Sequence, residues 1–141
     1  MKVEIGEYPD EGEQKVVVHI DKWDTWSMDY TLAPIILPML KQLKATKHGS
    51  PDVDNEDVPI NLRAPEEDVL KYKKLGETDP DFFKRWDWVL DEMIYAFDCK
   101  ANKDEVYMRF DIKDRIAMQK EQDRISNGFR LFGKYYEALW D

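Results

Sequence analysis

Apolar residues recur along this chain with two periods, and the period assigns the elements. Residues 2–8 and Val16-Val-Val-His-Ile20 are short β-type runs, separated by the turn-rich Pro9-Asp-Glu-Gly12. They predict a β-hairpin over residues 1–22 whose second strand lies against a helical core. Asp24, Thr25 and Ser27 are good N-cap residues, and Leu32, Ile36, Met39, Leu40 and Leu43 then share one helical face. A helix is expected over 23–48. Pro38 should kink or split it, because proline removes a donor and disfavours helix in the residue before it; Pro34 can sit near the first turn. Cations in its last turns and Gly49 at its stop suit the helix dipole.

Residues 49–78 read as an acidic loop region broken by Pro51, Pro59 and Pro65, with a short helix at 66–75. Asp79-Pro80 is the clearest helix start in the chain, with Asp79 as N-cap and Pro80 at the first position. Phe82, Phe83, Trp86, Val89, Leu90, Met93, Ile94 and Phe97 follow as an apolar stripe, predicting a core helix over 79–98. Alternation in Glu105-Val-Tyr-Met-Arg-Phe110 predicts a third strand at 105–110 that pairs with the hairpin. Asp111 can cap a long C-terminal helix over 112–139. Ile125, Phe129, Phe132, Tyr136 and Leu139 lie on one face of it, packed against the Phe82–Phe97 stripe. Gly128 and Gly133 each cost that helix about 1 kcal/mol relative to alanine, which asks for close packing or close approach of a ligand. The expected architecture is α+β and helix-dominated: one domain over 1–141, three main helices and a small antiparallel sheet from the N-terminal hairpin.

Composition narrows the function classes. A net charge of −9 with a pI near 4.8 argues against general nucleic-acid binding, which needs a cationic surface. One cysteine, Cys99, excludes an intrachain disulfide and suits a reducing cytoplasm. The longest apolar run, Leu32 to Leu43, is too short to span a bilayer, and no membrane association is expected. The chain has no HExxH, paired CxxC, glycine-rich phosphate loop or GxSxG, and His19 and His48 lack a partner at fixed spacing. No cofactor is implied.

Two constellations carry candidate chemistry. Cations and aromatics come first: Lys44, Lys47 and His48 end one helix, and Arg124, Asn127, Arg130, Lys134 and Tyr135 lie on the polar edge of the last one. With Trp23, Trp26 and Trp88 for stacking, they would suit a small nucleotide-like anion. The bland reading is a set of helix-dipole and salt-bridge charges. Carboxylates come second: Asp87 and Asp91 are four apart on one helix and could hold a metal or do acid–base work, or else Asp87 pairs with Arg85 or Lys84 and simply solvates the helix. Asp52-Val-Asp54-Asn-Glu56 glances at a calcium loop but lacks its turn glycine and closing glutamate.

Four stretches carry a resemblance: Trp23-Asp-Thr-Trp-Ser-Met-Asp-Tyr-Thr-Leu-Ala33, Lys44-Ala-Thr-Lys-His-Gly-Ser-Pro51, Phe83-Lys-Arg-Trp-Asp-Trp-Val-Leu-Asp-Glu-Met-Ile94 and Asn127-Gly-Phe-Arg-Leu-Phe-Gly-Lys-Tyr-Tyr-Glu-Ala-Leu-Trp-Asp141. Together they resemble a family of small, functionally uncharacterised proteins of tailed bacteriophages. Some members have a longer segment between the last two helices than residues 99–111 here, and a function housed in it would not carry over. The resemblance implies synthesis in an infected bacterium, action in the host cytoplasm, and an accessory role such as host takeover or counter-defence. Three functions follow as expectations. The first is a non-enzymatic binding protein that sequesters a small anionic ligand. The second is an acidic module that inhibits a host protein through Glu56, Asp57, Glu66, Glu67 and Asp68, steered by charge. The third is a metal-dependent hydrolase built on Asp87 and Asp91. A homodimer through the last helix is compatible with the first two.

Overall fold

In the computed structural model, which describes residues 1–141, a three-helix bundle carries a two-stranded sheet at one end. Strands β1 (Lys2–Ile5) and β2 (Val16–His19) pair antiparallel, with Lys2 opposite His19 and Ile5 opposite Val16. Helices α1 (Met28–Thr46), α3 (Phe82–Ala101) and α5 (Arg115–Lys134) form the bundle. Helix α2 (Glu66–Leu75) and the one-turn α4 (Val106–Arg109) are peripheral. The fold is α+β and helix-dominated.

Helix α3 lies in the middle. Trp86, Val89, Leu90 and Met93 are its most buried side chains, against Ala33, Leu37 and Leu40 of α1 and Leu131 and Tyr135 at the end of α5. Side-chain pairs run down both seams with opposite numbering, Lys44 to Asp91 and Lys47 to Asp87, Glu92 to Arg124 and Tyr95 to Glu121. Each outer helix is therefore antiparallel to α3. The N-cap is Asp81 rather than Asp79: Asp79 Oδ1 accepts from the Asp81 N–H at 3.0 Å within the turn that leads into the helix at Phe82, and Pro80 lies in that turn rather than at the first helical position.

Several expectations change. Helix α1 begins at Met28, not at residue 23, because Asp21 and Asp24 bond nearby backbone N–H groups and hold residues 21–26 in turns. It then runs unbroken through Pro34 and Pro38, both on its solvent side. There is no third strand: residues 106–109 are helical, with Val106 buried beside Ala96, Cys99 and Ile125. Val106 and Arg109, one helical turn apart, both reach α3: Arg109 donates to the Tyr95 hydroxyl at 3.1 Å. Helix α5 is shorter than expected. Asp114 caps it, accepting from the Ala117 N–H at 3.0 Å, and after Lys134 the chain tightens into a 3-10 turn at Tyr136–Ala138.

The buried face of α5 is also partly rotated from the expected one. Ile125, Gly128, Leu131 and Tyr135 are its buried positions and Tyr136 is 64% exposed. Phe129 and Phe132 stay half-buried and meet Phe97 of α3 edge-on at 5.1 and 4.9 Å, as the stripe predicts. Gly128 explains the rotation. A Cβ there would meet the Glu92 carbonyl oxygen at 2.5 Å and the Ala96 Cβ at 2.6 Å, so the two helices cross at this glycine. Nothing lies within 4 Å of a Cβ built at Gly133.

The hairpin does not lie against the bundle core as expected. Val16, Val18 and Ile20 of its second half are 52–56% exposed.

Candidate functional site

The cations proposed for an anion site are all held by carboxylates. Along the α1–α3 seam, Lys41 meets Asp98 at 3.3 Å, Lys44 meets Asp91 at 2.5 Å and Lys47 pairs with Asp87. Two separate readings of the sequence thus answer each other: the lysines at the end of α1 and the carboxylates four apart on α3 form one ladder. Asp87 and Asp91 pair with these lysines rather than with Arg85 or Lys84, which bind Asp79 and Asp81. Each carboxylate facing its own ammonium presents no open pair for a metal ion. His48 binds Asp141 twice, through its backbone N–H at 2.6 Å and its ring Nδ1 at 2.9 Å. These two contacts hold the Asp141 carboxyl below its usual range.

On α5, Arg124 makes a bidentate contact to Glu92, at 2.9 and 3.0 Å, and stacks 3.6 Å above the Tyr95 ring. That places it on the α3 side, away from the other cations of its helix. Asn127 accepts from Arg130 Nε at 2.8 Å, and the other end of that guanidinium reaches Asp57 at 2.6 Å. Lys134 reaches Asp57 at 2.5 Å, Asp54 at 2.6 Å and Glu56 at 3.4 Å. Tyr135, expected on the polar edge, is buried. Its hydroxyl donates to Asp57 Oδ2 at 2.7 Å and accepts from the Asp54 N–H at 3.0 Å.

Asp57 is therefore the centre of a closely built polar cluster. Its side chain is 1% exposed, so it cannot serve on an acidic contact face with Glu56, Glu66, Glu67 and Asp68. Burial works to raise its carboxyl, but hydrogen bonds from Lys134, Tyr135 and Arg130 outweigh that and hold it below the usual carboxylate range. The same cluster pushes Tyr135 up, by burial and by its bond to Asp57, and raises Lys134 through Asp54 and Asp57. Carboxylate oxygens of Asp54, Glu56 and Asp57 lie within 4.8 Å of one another. Lys134 already bridges all three, which is the role a cation would take in a calcium loop. The sequence offered one signal for this cluster: Val53 and Val58, two buried apolar residues set among acids, which seat the loop on the bundle core.

The aromatic candidates go elsewhere. Trp23 and Trp26 pack on each other with centroids 5.9 Å apart, 63% and 81% exposed, in the turns before α1. Trp88 sits half-buried at the margin of the main core. The candidate residues therefore fall in separate places: the α1–α3 ladder, the Asp57 cluster and the Trp pair, with Arg124, His48 and Trp88 each on its own.

Two apolar surfaces were not evident in the sequence. A groove of about 480 Å³ between α1 and the chain after α5 is lined only by hydrophobic residues, among them Ile36, Met39, Leu43, Phe132 and Leu139. At the opposite end of the bundle, Met28, Tyr107 and Met108 are more than half exposed. They flank the point where the Tyr30 hydroxyl meets Glu105 and Lys100 lies 4.2 Å over the Tyr30 ring. No helix is long and apolar enough to cross a membrane. Compared with protein-family models, curated proteins and solved structures, the chain matches none of them.

Proposed function

We propose that this chain is a non-enzymatic protein-binding module of the phage accessory kind its sequence resembles, acting in the cytoplasm of an infected bacterium on a host protein. Its contact surface is the end of the bundle that carries Trp23, Trp26, Met28, Tyr107 and Met108. One observation carries the reading: these large side chains stand in solvent, while each cation named as an anion-site candidate on α1 and α5 is paired with a carboxylate. Trp, Tyr and Met are the types enriched where proteins meet, and Trp and Tyr dominate binding hot spots. The segment is also preorganised. Asp21 and Asp24 fix the turn that presents both tryptophans, and Thr31 donates to the Asp24 carbonyl oxygen at 3.0 Å, tying that turn to α1. A net charge of −9 would steer association towards a basic partner.

The test is site-specific photo-crosslinking in infected cells from positions 26 and 107, with position 77 on the far side as control. The expected result is one host protein captured from both and not from the control. That protein, once purified, should lose at least tenfold in affinity for the double variant Trp23→Ala/Trp26→Ala. Crosslinking that does not distinguish position 26 from position 77 would overturn the reading. So would calorimetry showing a nucleotide bound with an affinity that depends on Lys47 and Arg130.

A further inference from the structure

Beyond the binding surface at the Trp end, we infer that the open edge of β1 is a self-association site, joining two copies of the chain into one four-stranded antiparallel sheet in the order β2-β1-β1′-β2′. The argument starts from the register. Gly6 donates its N–H to the Lys15 carbonyl oxygen at 2.8 Å, so Gly6 and Lys15 are a hydrogen-bonded pair. Directly opposed residues alternate between bonded and non-bonded pairs along an antiparallel ladder. Glu4 with Val17 and Lys2 with His19 are then bonded pairs, while Val3 and Ile5 turn their N–H and C=O groups away from β2. The sheet has only two strands, and those groups face its open edge.

The side chains then select the partner and the register. Residues opposed across the ladder share a face, so Val3, Ile5, Val16 and Val18 lie on one face and Lys2, Glu4, Val17 and His19 on the other. Two copies of β1 related by a two-fold axis at Val3 bond Val3 to Val3′, using both outward groups. In that register Lys2 faces Glu4′ and Glu4 faces Lys2′ on the polar face, while apolar residues meet on the other. Moving the axis to Glu4 opposes Glu4 to Glu4′, and moving it to Lys2 opposes Lys2 to Lys2′. Both put like charges directly across the ladder, which is destabilising. β1 is thus charge-complementary to its own copy in one register, whereas Val16-Val-Val-His19 offers no pair of opposite charges. A lone two-stranded hairpin is at best marginally stable in water, and self-pairing gives it the strands it lacks.

Sedimentation velocity tests the proposal. The wild type should form a dimer at tens of micromolar. Val3→Pro removes an outward N–H without touching the bonds between β1 and β2, and should leave a monomer with unchanged helical circular dichroism. Lys2→Glu puts like charges at both ends of the contact and should weaken the dimer about tenfold, and Lys2→Glu/Glu4→Lys should restore it. A wild type that remains monomeric at 100-fold higher concentration overturns the proposal. A dimer indifferent to Val3→Pro and to the charge reversal overturns it as well, by placing the interface elsewhere. Neither result bears on capture of a host protein by the Trp end.

Discussion

The two ends of the bundle hold their irregular chain in different ways. At the end formed by the last turns of α1 and α5 and the first turn of α3, irregular chain is fastened to the helices atom by atom. Val53 and Val58 plug the core, and Asn55 closes its loop on Ala64 with two bonds of 2.8 Å. Asp57 receives bonds from three side chains of α5 and the residue following it. Arg85, buried, joins Asp79 and donates to the Leu62 carbonyl oxygen at 3.1 Å. At the other end, the hairpin, the Trp turn and α4 keep bulky apolar side chains in solvent. A loop rich in acids would be expected to float free, and a β-branched hairpin to be tucked in. The reverse holds, because a buried charge with enough partners specifies one arrangement, whereas apolar surface can wait for a partner.

The largest effect that can break this contrast separates two tryptophans. Trp86 is 1% exposed and meets the Tyr135 ring edge-on at 5.8 Å. Trp86→Ala should cost about 3–5 kcal/mol in urea unfolding. Trp26→Ala, at the other end, should stay within about 0.5 kcal/mol. Comparable losses would mean that the Trp turn is part of the core.

Next is Asp57. Asp57→Ala leaves the Tyr135 hydroxyl buried without its acceptor, while Arg130 and Lys134 are exposed enough to turn to water. The expected cost is about 2 kcal/mol, below the range for a fully buried pair. The pH dependence has a definite sign. Because the folded carboxyl titrates below its unfolded value, its contribution is complete above the unfolded pKa of about 3.9 and drains away as pH falls through the folded value. Asp57→Asn should therefore flatten the acid limb of stability against pH and leave the neutral region without slope. An acid limb of unchanged steepness in that variant would show that other carboxylates carry it.

Much of the fold could be read from periodicity, and the reasons for the misses are local. The hairpin, α2 and the α3 stripe all followed from spacing and turn chemistry, while the start of α3 fell two residues later than the Asp79-Pro80 signal placed it. The face of α5 followed only in part: Ile125, Phe129 and Phe132 pack on α3 as spaced, but the closest contact is at Gly128, and a glycine is silent in a hydrophobic pattern. Residues 105–110 misled because six residues fit alternation and a single helical turn equally well. The candidate cations were identifiable as cations, but what each does depends on a carboxylate far away in sequence, such as Asp87 for Lys47 or Asp57 for Arg130. Ion pairs of that range leave no mark in spacing.

Gly128 supplies the third test, and it asks how tightly the packed half is set. An added methyl would meet backbone at 2.5 Å, which no side-chain rotation can relieve. Gly128→Ala should cost about 1–3 kcal/mol despite the better helix propensity of alanine, because α3 and α5 must part. A stabilised variant would show that the two helices slide past each other freely.

Gly133, five residues on, should respond with the opposite sign and the smallest magnitude. It is exposed, its φ is not positive, and a Cβ there meets nothing within 4 Å, so alanine fits the backbone without strain. Gly133→Ala should raise stability by about 0.5–1 kcal/mol, through lower chain entropy in the unfolded state and better helix propensity. The two glycines then differ in sign at nearly the same sequence position, which only the crossing at residue 128 explains. If Gly133→Ala were destabilising to the same degree as Gly128→Ala, the end of α5 would have to pack against something besides the helices of its own chain. Repeating the measurement over a hundredfold range of protein concentration would then show whether a second copy is what it meets.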